Sequence, residues 1–159
     1  MTQISIDQIK KLRSQTGAGI MEIKKALGEA GGDRKKAIRI LKKMGQLRAA
    51  KKAGRETKAG IVETYIHATK TSGATVVLTS ETDFVSRTEE FKNLAHEMAM
   101  QVCAMNARNA KELLAQPWIR DETKTVGDLI AENIAKFGEN IKIADFKRFE
   151  VLASDSGNQ

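Results

Sequence analysis

Apolar residues recur every three or four positions through the first third of the chain, alternate with polar ones just beyond residue 60, and return to helical spacing near residue 91. Ser5 and Gln8 form an S-x-x-Q capping box, with Ile4 placed to staple onto Ile9 across the start of a first helix. Ile6, Ile9 and Leu12 supply its apolar face. Two glycines in Thr16–Gly19 predict a tight turn. A second helix is expected over Ile20–Ala30, with Ile20, Ile23, Ala26, Leu27 and Ala30 on its buried side and Gly31-Gly32 as its stop. Asp33 then caps a third, in which Ala37, Ile38, Leu41 and Met44 recur and Gly45 is the natural end.

The alternating stretch Ile61–Ala68 puts Val62, Thr64, Ile66 and Ala68 on one face of a strand and Glu63, Tyr65 and His67 on the other. A polar turn over Thr69–Gly73 and a β-branched run from Ala74 to Ser80 complete an antiparallel hairpin. The chain then corners through Thr79–Val85, TSETDFV, into a long amphipathic helix. Its expected capping box is Ser86 with Glu89, and its apolar stripe is Phe91, Leu94, Ala95, Met98, Val102 and Met105. Asn106–Glu122 is irregular, with Pro117 and Trp118 interrupting it, and Trp118 reads as a packing residue. A further capping box, Thr125 with Asp128, opens a helix carrying Val126, Leu129, Ile130, Ile134 and Phe137 and stopped by Gly138. Asn140–Leu152 closes as a strand whose apolar content is Ile141, Ile143, Phe146 and Phe149.

The pattern predicts an α+β protein: a three-helix bundle followed by a small antiparallel sheet covered by helices. The expected partition is a three-helix domain over 1–45, a basic connector over 46–60 with a helical turn or two, a core over 61–153 and a flexible polar tail over 154–159. Charge reinforces the division. Residues 1–60 hold 16 Lys or Arg against 5 Asp or Glu, whereas the remainder is acidic, within a net charge of +7. A basic half can neutralise phosphates, dock on an acidic protein, or simply face water. The lone Cys103 excludes an internal disulfide framework, and no apolar run reaches the roughly 18 residues of a membrane span. The start of the chain lacks an apolar signal-peptide core, so a cytoplasmic location without membrane attachment is expected.

Reactive constellations are scarce. His67 and His96 have no third ligand at zinc-like spacing, Cys103 falls near the apolar side of a helix, and Glu81 with Asp83 lacks supporting groups. The Thr16–Gly19 turn has neither the spacing nor the lysine of a phosphate-binding loop. No catalytic residue, metal or cofactor is expected, and the chain reads as a two-part binding protein rather than an enzyme. The corner residues admit two readings at this level: Phe84 plugs the core, or Phe84 presents an acidic-aromatic tip to a partner.

Two separated stretches, LRSQTGAGIMEIKKALGEAGGDRKKAI over Leu12–Ile38 and SETDFV over Ser80–Val85, closely resemble the signatures of the bacterial-type elongation factor Ts family. The connector AAKKAGRE, Ala49–Glu56, and the closing GENIKIADFKRFE, Gly138–Glu150, are similar to it too. The resemblance implies a ubiquitin-associated-type N-terminal bundle, an α+β core, and guanine-nucleotide exchange on elongation factor Tu. It further implies that Asp83 and Phe84, flanked by Thr82 and Val85, reach between helices of the GTPase domain near its magnesium site. Arg13, Ile20 and Met21 match N-terminal positions that contact the same domain. Direct nucleotide binding by this chain is not implied, and nucleic acid is not an expected partner.

The chain departs from the family pattern at Ser80, where a cysteine is frequent, a change expected to matter little at an exposed tip. It is also short over Asn106–Glu122, where many members carry a longer insertion or a second core repeat. That leaves both monomeric action and pairing with a second copy open. Two other function classes stay in view: an RNA- or ribosome-associated protein acting through the basic first 60 residues, and a ubiquitin-type adaptor.

Overall fold

The computed structural model describes residues 4–151. Its first half runs α1 (Ile6–Thr16), α2 (Ile20–Glu29), α3 (Arg34–Lys52), β1 (Ala59–Ile66), β2 (Ser72–Ser80) and the single turn α4 (Asp83–Ser86). There follow α5 (Glu89–Met105), α6 (Ala110–Ala115), β3 (Pro117–Trp118), β4 (Asp121–Thr125), α7 (Val126–Phe137) and β5 (Ile141–Glu150). The α+β class is as the periodicity predicts. The proposed tail over 154–159 and the last residue of the expected closing strand lie outside the described residues.

Two compact units form: residues up to Arg55 together with Asp128–Asn140, and Glu56–Gly127 together with residues from Ile141 onward. In the helical unit, Leu12, Ile23, Ala26, Leu27, Ala30, Ala37 and Leu41 make the buried core, and Ile4 and Ile9 pack against it. The Ser5–Gln8 capping box forms, and Gly17 ends α1 in the left-handed conformation with φ 66°. Ile6 and Ile20 differ from expectation: both are exposed, because the small core is closed by the residues one turn further along each helix.

Gly45 does not stop α3, which continues through seven residues of the expected connector to Lys52. A mid-helix glycine costs about 1 kcal/mol against alanine, and here it sits where α7 comes close. A Cβ at Gly45 would lie 4.0 Å from the Ala135 Cβ. Polar contacts tie the two helices: Lys42 Nζ to Asp128 at 2.8 Å and Gln46 Nε2 to Asp128 Oδ1 at 2.9 Å. Lys52 Nζ donates to the Gly138 carbonyl at 2.8 Å, and Asn140 Nδ2 to the Arg55 carbonyl at 2.8 Å. Most of α7, expected in the core domain, therefore belongs with the N-terminal helices. Spacing alone could not reveal this, because these contacts join positions more than 80 residues apart.

In the sheet unit β2 is central, with β1 and β5 antiparallel on either side. Ala74, Val76, Leu78 and Ser80 of β2 are buried on the face against which α5 packs. Register places Ile61, Glu63 and Tyr65 of β1 on that face, leaving Val62, Thr64 and Ile66 on the open one. A bulge between Val77 and Leu78 reverses the phase of β5, so Ile141, Ile143 and Phe146 share the covered face while Phe149 falls on the open one. Phe91, Leu94, Ala95, Met98 and Val102 of α5 are buried as its spacing predicts, and Met105 is exposed. The irregular stretch contains α6 and a small hairpin of β3 and β4. The hairpin is held by the buried Gln101 of α5, whose Nε2 donates to the Pro117 carbonyl at 3.0 Å and whose Oε1 accepts from the Ile119 amide at 2.9 Å.

Candidate functional site

Between the end of β2 and the start of α5 the backbone makes one helical turn, Asp83–Ser86, and three hydroxyls pin it from below. Ser80 Oγ donates to the Thr82 carbonyl at 2.9 Å, Ser86 Oγ to the Asp83 carbonyl at 3.3 Å, and Thr88 Oγ1 to the Val85 carbonyl at 2.8 Å. Backbone amides of Arg87 and Thr88 close the turn onto the Asp83 and Val85 carbonyls, each at 3.1 Å. Ser80 and Ser86 are fully or almost fully buried. The carbonyls of Thr82, Asp83 and Val85 are thus partnered, which fixes a segment too short to be a stable helix by itself.

Phe84 projects from this support and is 83% exposed. It does not plug the core; Phe91, the third residue of α5, is the buried aromatic there. Asp83 is half exposed and pairs with Arg87 at 2.8 Å, an i,i+4 contact. Thr82 is exposed in extended backbone before the turn, and Val85 is half-buried behind it. The tip therefore offers water an unpartnered aromatic ring beside a carboxylate whose direction is set by a guanidinium.

Two local expectations change here. The cap of α5 is Thr88, whose side chain accepts from the Phe91 amide at 3.2 Å, rather than Ser86. Ser80 is no exposed tip residue but the buried post beneath it. Three hydroxyl residues at Ser80, Ser86 and Thr88 bracket the tip in sequence. That spacing was the available signal, since small hydroxyl side chains readily bond neighbouring carbonyls.

The other candidate residues lie in the helical unit, around the glycine turn. Arg13 is exposed in the last turn of α1, and its carbonyl accepts from Gly17 at 2.9 Å. Thr16 Oγ1 donates to the Leu12 carbonyl at 2.7 Å, and Glu22 Oε2 accepts from the Gly19 amide at 3.0 Å, capping α2. Ile20 and Met21 open α2 with 44% and 75% of their surface exposed. All three are accessible and fall within nine residues of one another, two on one side of the turn and one on the other.

Groups with reactive potential meet in one patch on β1 and α5, where the Tyr65 ring stands edge-on to His96 at 5.9 Å. Tyr65 Oη and His67 Nδ1 lie 3.1 Å apart, and His96 Nδ1 stands 3.7 Å from Glu63. Cys103 is buried. Among the described residues no group of three His, Cys, Asp or Glu side chains could hold a metal ion, and no helix is long and apolar enough to cross a membrane.

These features define a class: a two-unit α+β protein with a pinned acidic-aromatic tip on one unit and an exposed aliphatic turn on the other. The family model described as Elongation factor TS matches residues 81–158. The protein Elongation factor Ts of Thermotoga petrophila is 42% identical, with 94% of this chain and 96% of the relative covered. The corresponding proteins of Finegoldia magna and Coprothermobacter proteolyticus are 40% and 38% identical, over 95% and 92% of this chain and 91% and 98% of theirs. The chain belongs to the elongation factor Ts family and is a translation elongation factor. The alignment with the Thermotoga petrophila protein spans 192 positions, more than the 159 residues present, so that relative carries internal segments without counterpart in this chain.

Proposed function

We propose that this protein is a guanine-nucleotide exchange factor that binds elongation factor Tu in its GDP form and promotes GDP release. The observation that carries the reading is the tip: Phe84 is 83% exposed on a turn fixed by three buried or half-buried hydroxyls. A GTPase holds its nucleotide largely through the phosphate-binding loop and the magnesium ion. A rigid apolar wedge entering between helices beside that site displaces both. The coupling is reciprocal: whatever affinity for GDP is lost with the wedge in place, the wedge's own affinity loses when GDP is bound.

Phe84 is the wedge, Asp83 acts beside it near the metal, and Thr82 and Val85 complete the contact. Arg13, Ile20 and Met21 of the helical unit engage the same GTPase domain. Exchange by this route takes place in the cytoplasm and needs no bond made or broken, no cofactor and no nucleotide held by this chain.

The test is release of a fluorescent GDP from elongation factor Tu in stopped flow. Adding this protein accelerates release, and Phe84→Ala removes about 2 kcal/mol of interaction, roughly thirtyfold in rate. Release that is indifferent to the protein would remove the proposal.

The open face of the sheet favours self-pairing as the working form. Val62, Ile66 and Phe149 are exposed on it and Val151 just beyond its end, a grouping of apolar side chains that suits a protein contact. Asp145 and Lys147 lie among them in register with Val77 and Thr75, so a two-fold pairing can join opposite charges around an apolar centre. Sedimentation equilibrium reads the mass directly, and a monomer at micromolar concentration would exclude it.

A further inference from the structure

The helix α3 contains nine Lys or Arg among its 19 residues and no Asp or Glu. Three of these cations are spent inside the helical unit: Lys42 on Asp128, Arg48 on Glu22, and Lys52 on the Gly138 carbonyl. The other six, Arg34, Lys35, Lys36, Arg39, Lys43 and Lys51, are exposed. Lys35, Arg39 and Lys43 follow one another at four-residue steps, and Lys51 lies on the same row two steps further along. Lys36 flanks the row. Over this length the helix rises about 24 Å, the axial distance spanned by roughly seven phosphates of one nucleic-acid strand.

We infer that this face of α3 is a binding surface for the phosphate backbone of RNA, independent of base sequence. The opposite face of α3 carries Ala37 and Leu41 into the core, so the helix cannot lay an apolar side into a membrane. A protein partner is disfavoured too, because interface cores are depleted in charge and built on apolar anchors, and Leu47 is the exposed large apolar residue on the row. Neither α1, α2 nor α3 contains an aromatic residue, so bases find nothing to stack on and the contact is electrostatic. The basic composition of the first 60 residues left this choice unsettled. The structure narrows it by separating cations used internally from a row of exposed cations broken at Leu47. The inference does not depend on the exchange reading, since it uses neither the tip nor the glycine turn.

The experiment is fluorescence anisotropy of a fluorescein-labelled 20-nucleotide single-stranded RNA titrated with the full chain at several salt concentrations. Five cations on a single strand give a slope of about −3.5 in log affinity against log salt, roughly a hundredfold loss between 50 and 200 mM. The triple variant Lys35→Gln, Arg39→Gln, Lys43→Gln keeps its helical circular dichroism, because all three side chains are exposed. Its slope falls to about −1.4, with a loss below about tenfold over the same salt range. Phe84→Ala leaves RNA binding unchanged. Absence of RNA binding at 50 mM salt, or a triple variant that binds as the native chain does, overturns the inference. So does capture of a poly-glutamate peptide with equal affinity and equal dependence on the row, which would assign the face to an acidic protein.

Discussion

The glycine turn of the helical unit and the tip of the sheet unit are both short, exposed and flanked by helices, yet they are held by different means. At the turn a backbone conformation is decisive: Gly17 takes φ 66°, the Thr16 hydroxyl and the Glu22 carboxylate bond flanking backbone groups, and the chain passes from α1 to α2 with Arg13, Ile20 and Met21 exposed. At the tip the side chains contribute most: hydroxyls of Ser80, Ser86 and Thr88 hold the carbonyls of Thr82, Asp83 and Val85 while Phe84 is left in water. A conformational constraint tolerates change in the neighbouring side chains. A hydroxyl constraint tolerates change in none of its members. The two surfaces should therefore fail differently when perturbed.

The largest effect on stability is expected at Gly17. A Cβ there would meet the Lys136 side chain at an ordinary 3.7 Å, so space is not the obstacle. The left-handed conformation is, at about 1–2 kcal/mol for a residue with a Cβ. Gly17→Ala should lower the unfolding free energy by that amount, read as a lower urea midpoint. In GDP-release titrations it should raise the concentration needed for half-maximal rate, because Ile20 and Met21 are displaced, while the plateau rate holds. A lowered plateau would mean that the turn and the tip are not separable in the way their construction suggests.

Ser80→Ala comes next. Loss of one buried donor costs about 1 kcal/mol in unfolding free energy, and the Thr82 carbonyl loses the Ser80 hydroxyl. The tip loosens, so the plateau rate should fall several-fold while the half-maximal concentration changes less. Phe84→Ala supplies the contrast, since truncating an exposed side chain leaves stability within about 0.5 kcal/mol and still removes the wedge. If Ser80→Ala lost stability but kept the full plateau, the hydroxyl would serve the fold alone.

The same distinction explains what could be read from the chain. Helical spacing located α5 and its buried stripe through Val102, and the Ser5–Gln8 capping box is present atom for atom, because periodicity and caps are local. The continuation of α3 past Gly45 was hidden, since the glycine is accommodated by Ala135, 90 positions away. The face of β5 on which Phe149 falls was hidden as well, because one bulged residue reverses the alternation that strand reading depends on. At the site, residues alone left Phe84 divided between core and surface. Its exposure follows from Phe91 filling the core and from the buried serines beneath the turn, and neither is visible in a count of hydrophobic positions.

The smallest effect separates the tip from a charged constraint in the same unit. In the β3–β4 hairpin the Asp121 carboxylate accepts from the Thr123 hydroxyl at 2.6 Å and from the Thr123 amide at 3.1 Å. The hydroxyl bond first, and the amide bond after it, hold this carboxyl below its ordinary value of 3.8. A lowered folded value means that the ionised form is favoured in the folded chain. The contribution is fully present above 3.8 and is lost as pH falls through the folded value. Hydroxyls bonded to carbonyls, as at the tip, have no such titration. Comparing urea midpoints of the native chain and Thr123→Val across this range should show a small gap at neutral pH that closes on acidification. The gap between the native chain and Ser80→Ala should stay open through the same range, because neither partner of that bond changes charge. A Ser80→Ala gap that closed in parallel would place a titrating group under the tip, and the neutral-hydroxyl account of how Phe84 is held would have to be given up.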